Sequence, residues 1–498
     1  MTDTTIVVPT LGRPSLAVLL DALARGTRRP DHPVVVVDDR KEATGPLPVD
    51  GGLDVVVLRS GGRGPAAARN LGWRETRTPW VSFLDDDVEP GPDWYACLLA
   101  DLDAAPPWVS GSQGRVRVPL PTDRRPTDWE RSTRGLEDAP WITADMSYRR
   151  AVLAQVGGFD ERFHRAYRED ADLALRVTAQ RGRLVRGQRS VSHPVRPADD
   201  WVSLRQQAGN ADDMLMNRLH GRAWRERAGA APGRRPRHVA VTAAAALALV
   251  LALPVAGRRR WGPAALAALG WAAGTAELAL ARIGPGPRDG DEVRRMLLTS
   301  ATIPAAATWH TVRGAWQHRG ATAWRGAPEV VLFDRDGTLV HDVPYNGRPE
   351  LVRPVAGADD ALDRLRRAGV RIGMITNQSG VALGRLTGEQ VAAVNRRVEA
   401  QLGPFDTVQW CPHGPDDGCR CRKPAPGMVR QACSDLGVDP SRCVLVGDIG
   451  ADVRAAEAAG GVGILVPAPS TARADVTAAT QVHPDLDSAV TAILAGRW

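Results

Sequence analysis

Two parts of the chain share one rhythm: short apolar runs separated by longer amphipathic stretches. In residues 1 to about 220 the runs 6–9, 34–39, 55–59 and 80–87 are rich in valine, isoleucine or aromatic residues, which predicts buried parallel strands. Residues 14–25 and 65–75 lie between them as predicted helices, so the order is β-α-β. The rhythm resumes at residue 327. A strand leads into FDRDGT (333–338), a helix is expected near 357–368, and a second strand leads into TNQSG (376–380). Helices near 387–402 and 426–436 follow, then a strand and helix within 443–460.

Residues 221 to 326 break this pattern. Arginines and prolines come first, then two Ala/Leu-rich segments, 239–257 and 261–284, separated by Arg258–Arg260. Each is near the ~20 residues that span a bilayer. The first has no charge, whereas Glu277 and the arginine tip count against burial in lipid. A membrane hairpin or a pair of membrane-surface helices is expected, with a soluble helical linker as the alternative. The expected domains are therefore 1–220, a helical segment 221–326, and 327–498.

The length of 498 residues exceeds what one core normally serves, in keeping with this division. Net charge is +7, carried mostly by arginine, which suits sugar phosphates, nucleotides or an anionic membrane face. Nucleic acid is not an expected partner. Cys97, Cys433 and Cys443 are scattered without a disulfide framework, and no basic-then-apolar leader opens the sequence. Both features suggest a cytoplasmic setting.

The chemistry of the back half begins at Asp334 and Asp336, set two residues apart at the end of a strand. Two carboxylates there can hold Mg²⁺, and one can attack phosphorus while the other handles the leaving group's proton. Thr376 and Asn377 end a second strand, Lys423 follows a cysteine-rich loop, and Asp448 ends a third strand with Asp452 four residues on. This order resembles the haloacid dehalogenase (HAD) superfamily of phosphatases, over roughly residues 327 to 490. The resemblance implies that Asp334 forms an aspartyl-phosphate and Asp336 is the general acid/base. Thr376 and Lys423 would stabilise the phosphoryl group, and Asp334, Asp448 and the Asp336 carbonyl would hold Mg²⁺. About 40 residues separate the first two motifs, too few for a large cap.

CPHGPDDGCRCRKP (411–424) holds three of the six cysteines. Cys411, His413, Cys419 and Cys421 form a Cys₃His set, suited to a closed, structural, tetrahedral Zn²⁺. Such a loop followed by Arg422 and Lys423 resembles the D-glycero-D-manno-heptose 1,7-bisphosphate phosphatases and the related histidinol-phosphate phosphatases. The heptose branch implies substrate contacts at Asp342, Tyr345, Asn377, Gln378, Ser379 and Arg422. The five residues between His413 and Cys419 match the shorter loop of the histidinol-phosphate branch, and Ile449 stands where a lysine is often found.

In the front half, Asp85 and Asp87 could grip a divalent metal bridging a nucleotide diphosphate, with His193 a third ligand. Glu169-Asp170 opens a helix and could supply a base. GGRGPAAARNLG, the DDD run, GGFDERF and REDADLALRV in this order resemble the inverting family 2 glycosyltransferases, over about residues 3 to 220. The resemblance implies a GT-A (Rossmann-like) fold and a nucleotide-sugar donor with its base near Pro9, Asp38 and Arg69. It also implies Mn²⁺ or Mg²⁺ at Asp85 and Asp87, and Asp170 as catalytic base. The expectation is thus an α/β chain with two enzymes: a GT-A domain, an apolar helical middle, and a HAD-like domain with a zinc loop and no large cap. The alternative keeps the phosphatase, on histidinol phosphate or another phosphomonoester, and makes the front half a module that binds nucleotide sugars or glycans.

Overall fold

The structure, a computed structural model, describes residues 3–43, 45–49, 52–180, 182–253 and 261–498. Two compact units result: residues 1–150 with 159–323, and residues 324–498 with 151–158.

Among the described residues, eight strands form the sheet of the first unit. They are β1 (Thr4–Thr10), β2 (Val34–Asp38), β3 (Val55–Arg59), β4 (Trp80–Leu84), β5 (Glu89–Pro90), β6 (Val109–Arg117), β7 (Asp145–Arg149) and β8 (Arg183–Ser192). Their order is β3-β2-β1-β4-β7-β6-β8-β5. β3, β2, β1 and β4 are mutually parallel, and β7 is antiparallel to β4. Chain order reverses between β1 and β4, so a crevice opens at their carboxyl ends, where such sheets bind ligands. β1, β2 and β4 are buried as expected. β3 is not: it lies at the sheet edge, and Val56 and Val57 are exposed because only part of it is covered.

The second unit carries β9 (Val330–Asp334), β10 (Arg371–Asn377), β11 (Thr407–Cys411), β12 (Cys443–Gly447) and β13 (Val462–Leu465). The order is β11-β10-β9-β12-β13, with every pairing parallel. Alternation along β9 feeds two apolar layers. Val331 and Phe333 pack with Leu362, Ile493 and Trp498, whereas Val330 and Leu332 pack with Val429 and Ala455. Both faces are covered, as an all-parallel sheet requires. Between β9 and β10 lie only a short 3₁₀ turn, Pro349–Leu351, and the helix Ala358–Arg367, so no cap domain is inserted there.

Among the described residues, three long helices occupy the middle region, where two were expected: Arg235–Ala252, Trp261–Ile283 and Gly290–Gln317, after a single turn at Trp224–Arg227. The third escaped the sequence reading because charges and apolar residues mix along it and Pro304 sits inside it. By length and composition the first two are able to cross a membrane. Glu277 pairs with Arg234 and Arg237 at 3.2 Å, near one end of the hairpin and not in mid-span. The end of the segment 239–257 and the arginine tip, Arg258–Arg260, lie outside the described residues. Residues 221–323 fall within the first unit.

A buried ion pair ties β6, β7 and β8 together. The Arg189 guanidinium donates to Asp145 at 2.7 Å, to the Ser112 hydroxyl at 3.0 Å and to the Ser112 carbonyl at 2.6 Å. Trp94 Nε1 donates to the second Asp145 oxygen at 2.7 Å. Asp145→Ala leaves the buried Arg189 guanidinium with Asp101, at 3.1 Å, as its remaining carboxylate partner and is expected to cost about 3 kcal/mol, the lower end for breaking a buried pair. Urea unfolding of the two proteins measures this, and a change below 1 kcal/mol, on the order of a surface substitution, would show the pair to be dispensable.

Candidate active sites

In the second unit, strand ends bring the motif residues together. Asp334 ends β9, Thr376 and Asn377 end β10, and Asp448 follows β12. Asp452 stands in the first turn of the helix Gly450–Ala459, where its carboxylate accepts from the Ile449 backbone N–H at 3.3 Å. Oxygens of Asp334, Asp448 and Asp452 lie within 4.8 Å of one another. The buried Lys423 ammonium sits 2.7 Å from Asp334 and 2.5 Å from Asp452. Burial opposes its charge, but the two carboxylates more than offset that and raise its pKa. Burial pushes Asp334 well above the usual carboxylate range, and burial together with Asp452 pushes Asp448 up to about 6. Three buried carboxylates against one ammonium make an oxygen donor set that fits a hard divalent cation.

The turn after β9 is shaped for this approach. Gly337 has φ +83°, and a Cβ there would meet an Asp448 carboxylate oxygen at 2.4 Å. Thr338 donates to Asp448 at 3.3 Å. Asp336 is held by its neighbours: Arg335 binds it through two nitrogens, at 3.0 and 2.8 Å, and Gln378 donates at 2.9 Å. Thr376 donates to the same carboxylate at 3.4 Å. The Asn377 side chain clasps the Lys423 backbone, donating to its carbonyl at 3.1 Å and accepting from its N–H at 3.0 Å.

The cysteine loop grows from the end of β11. Cys421 Sγ lies 3.3 Å from Cys411 Sγ, 3.6 Å from Cys419 Sγ and 3.3 Å from His413 Nδ1. The Cys411–Cys419 and Cys411–His413 edges are 3.7 and 3.5 Å. A tetrahedral zinc with ordinary bond lengths needs S···S edges of about 3.8 Å and S···N edges of about 3.6 Å, so the four atoms fit that ion. Burial and the neighbouring thiols push Cys411 up to about 12, so a cation is needed to hold its thiolate. Next in the chain, the Arg422 N–H donates to Cys419 Sγ at 3.3 Å, which brings Lys423 to the carboxylates.

In the first unit the crevice beyond β1 and β4 is a cleft of about 760 Å³. Pro9, Arg69, Asp85, Asp87 and His193 line it; Asp38 and Asp170 do not. Arg69 is buried and forks between Asp85 at 2.7 Å and Glu169 at 2.9 Å. His193 meets Asp87 at 3.5 Å, and Arg196 meets the other Asp87 oxygen at 3.0 Å. Asp85 is thus turned to Arg69, and these three ligand candidates do not form a tight cluster like that of the second unit. Burial raises Asp170, while burial and Asp170 push Glu169 up to about 8. Asp38 is locked by two bonds from Arg40, at 2.9 and 2.8 Å, which hold its carboxyl below the usual range.

Comparison with known proteins settles the family. Residues 345–460 match the model of haloacid dehalogenase-like hydrolases, and residues 5–172 match that of glycosyl transferase family 2. The chain is 38% identical over 134 residues to the D-glycero-beta-D-manno-heptose-1,7-bisphosphate 7-phosphatase of Pseudomonas aeruginosa, covering 26% of this chain and 75% of that protein. The chain belongs to the HAD phosphatases, fused to a family 2 glycosyltransferase. Among solved structures, the D,D-heptose 1,7-bisphosphate phosphatase of Bordetella bronchiseptica is 32% identical. The match covers 33% of this chain and 98% of that one, with a TM-score of 0.31. Glucosyl-3-phosphoglycerate synthase from Mycobacterium tuberculosis is 14% identical, covering 47% and 82%, with a TM-score of 0.32.

Within the phosphatase domain, the structure brings Asp334, Asp336, Thr376, Asn377, Gln378, Lys423 and Asp448 together. The side chain of Asp452 joins those of Asp334 and Asp448. Asp342 and Tyr345 lie on the exposed loop after the first motif, where Tyr345 has φ +51° and carries Arg385 over its ring at 4.5 Å. Ser379 and Arg422 are half-buried nearby in sequence to Gln378 and Lys423. Arg335 went unnoticed in the sequence. Its signal was a cation flanked by two aspartates, and it is buried between Asp336 and Asn395. In the transferase domain the unnoticed residue is Asp86, held by Thr10 at 2.6 Å and Arg13 at 2.8 Å.

Gly337→Ala places a methyl against Asp448 in a backbone region that costs an L-residue about 1 kcal/mol or more. Phosphatase turnover is expected to fall at least about tenfold, the factor that 1.4 kcal/mol of lost transition-state stabilisation gives. Phosphate release from a small phosphomonoester, with circular dichroism to confirm folding, measures it, and wild-type turnover would remove the steric argument.

Proposed function

We propose that the phosphatase domain removes one phosphate from D-glycero-D-manno-heptose 1,7-bisphosphate, giving heptose 1-phosphate. The convergence of Asp334, Asp448, Asp452 and Lys423 at adjoining strand ends carries the chemistry. Several relatives bearing the heptose-bisphosphate name, 38% identical in the case quoted above, support the substrate. The Asp334 carboxylate attacks phosphorus, the ester P–O bond breaks, and its electron pair leaves on the sugar oxygen. Asp336 gives that oxygen a proton and then takes one from the water that cleaves the aspartyl-phosphate. Lys423 and Thr376 donate to the phosphoryl oxygens, while Asp342, Tyr345, Asn377, Gln378, Ser379 and Arg422 border the sugar. Asp334, Asp448 and Asp452, with the Asp336 carbonyl, hold Mg²⁺, which offsets phosphate charge when bound. Cys411, His413, Cys419 and Cys421 hold a structural Zn²⁺ that fixes the approach of Lys423.

The transferase domain, in the same reading, moves a sugar from a nucleotide donor. Pro9 and Arg69, with Asp38 outside the cleft lining, would serve the base side; Asp85, Asp87 and His193 would hold Mn²⁺ or Mg²⁺ once drawn together by the ion; and Asp170, just beyond the lining, would act as base. Nucleotide activation lies chemically between a heptose phosphate and such a donor. The fusion therefore joins two separated steps of one glycan pathway. We place the chain in the cytoplasm at the inner face of a membrane, on its two long apolar helices. The five-residue span between His413 and Cys419 favours a second reading, histidinol phosphate as substrate.

Phosphate release with Mg²⁺ is expected to be greatest from one anomer of heptose 1,7-bisphosphate, and Asp334→Asn to reduce it to background with the fold intact. Faster release from histidinol phosphate would select the second reading, and turnover by Asp334→Asn would exclude this nucleophile. Purified protein is expected to contain zinc, and Cys419→Ser to lose it with a lower melting temperature. Zinc-free protein whose melting ignores chelators would overturn the structural-zinc assignment. Hydrolysis of a nucleoside diphosphate sugar with Mn²⁺ tests the transferase reading and identifies the donor.

A further inference from the structure

The helical hairpin of the transferase unit is long, apolar and uncovered. Arg235–Ala252 has no buried residue, and Trp261–Ile283 has only three. Leu249 and Leu266 are 72% and 73% exposed. No acidic or basic side chain occurs in 239–253 or 261–276. At 1.5 Å per residue the uncharged stretches of the two helices, 239–252 and 261–276, measure about 21 and 24 Å, most of the ~30 Å hydrocarbon core. The third helix adds exposed Trp309, Val312 and Trp316, spaced to share one face. Such an area in water is costly unless something covers it.

Charge bounds the hairpin at both ends: Arg258–Arg260 stand in the sequence between its two helices, and the charges of the described residues gather at the other end. Arg234 and Arg237 flank Glu277, and Arg282 closes the second helix. Arg282 does more than mark the end. It donates to Asp128 at 2.8 Å, to Ser203 at 2.8 Å, and to Thr299 and Ser300 at 2.7 and 3.0 Å. Its own carbonyl accepts from Arg131 at 2.8 Å, and Glu292 accepts from the Asp128 backbone N–H at 2.8 Å. Asp128 and Arg131 belong to the helix Asp128–Arg134, whose Trp129, Ser132 and Thr133 line the nucleotide-sugar cleft. Trp129 Nε1 donates to the carbonyl of Arg196 at 2.7 Å, and Arg196 pairs with Asp87. The polar end of the hairpin is therefore bolted to a wall of the cleft.

We infer that the hairpin enters an anionic lipid bilayer and that the acceptor of the transferase is an oxygen nucleophile carried on a lipid of that bilayer. This rests on the transferase reading and on the membrane placement above. The arginines that bound the hairpin at either end suit anionic headgroups, and the uncharged length between them suits acyl chains. A cleft wall fixed to the polar end of the hairpin is held at headgroup level, where lipid-borne hydroxyl or phosphate groups are found. In the transfer the lipid oxygen attacks the anomeric carbon of the sugar. The bond from that carbon to the diphosphate oxygen breaks, and the electron pair leaves with the nucleoside diphosphate. A hydroxyl acceptor passes its proton to Asp170, whereas a phosphate acceptor has none to lose.

Full-length protein is mixed with vesicles of phosphatidylglycerol and phosphatidylcholine containing either diacylglycerol or a long-chain polyprenyl phosphate. The labelled donor is the one identified by the hydrolysis screen, so failure of the transferase reading shows there first. The expected results are flotation of the protein with the vesicles and label in the organic phase from one of the two lipids, which distinguishes hydroxyl from phosphate. Leu249→Asp with Leu266→Asp is expected to weaken flotation on the order of a hundredfold, while donor hydrolysis, which belongs to the same unit as the hairpin, stays unchanged as the control for folding. Arg282→Gln is expected to retain flotation and donor hydrolysis but lose lipid labelling. Three results would each overturn the inference: no flotation by folded protein, a vesicle-indifferent dimer that covers the apolar faces with a second copy, or flotation with donor turnover but no label in either lipid.

Discussion

The phosphatase site depends on one buried ammonium. Lys423 lies between Asp334 and Asp452, and neither carboxylate would tolerate burial beside the other without it. An ammonium on a four-carbon stem has little intrinsic direction, so its backbone must be held. Two devices do this. Asn377 clasps the Lys423 peptide from the β10 side, and the cysteine loop delivers it from the β11 side. Both devices start at strand ends, and those ends are level because the sheet is wholly parallel and in register. Fold, loop and charge thus form one causal chain.

The two halves solve a similar problem differently. The phosphatase site concentrates three carboxylates around a cation. The transferase cleft instead spreads its acidic run over separate partners: Asp85 to Arg69, Asp86 to Thr10 and Arg13, Asp87 to His193 and Arg196. Each carboxylate there is already matched by a protein cation or hydroxyl. The cleft, about 760 Å³, has room for a large, multiply charged ligand.

Much of this was legible because it obeys local rules. Strand-end aspartates, the helix 65–75 and the Cys₃His spacing all follow from periodicity or ligand chemistry over short distances. Features set by long-range packing were not. Exposure of β3 follows from its place in the strand order, which its VVVLR run does not encode. The roles of Arg335 and Arg282 depend on partners 60 and 154 residues away, Asn395 and Asp128. Glu277 looked like an obstacle to lipid until its arginine partners, some forty residues upstream, placed it at the polar end. The third middle helix was hidden by its mixed face.

The lack of an inserted cap between β9 and β10 has a kinetic consequence. An enzyme with a lid must open and close it on the microsecond to millisecond scale, and that motion often limits turnover. No inserted domain stands between β9 and β10 to act as such a gate. With Asp334 as the proposed nucleophile, the rate would be set by bond making there or by escape of inorganic phosphate past Lys423. The substrate itself must then displace the water that a lid would have expelled, and a sugar large enough to cover the mouth does so better than a small phosphomonoester. An open mouth also leaves room for a phosphorylated residue at the end of a longer saccharide, so selection falls to the loop residues that rim it.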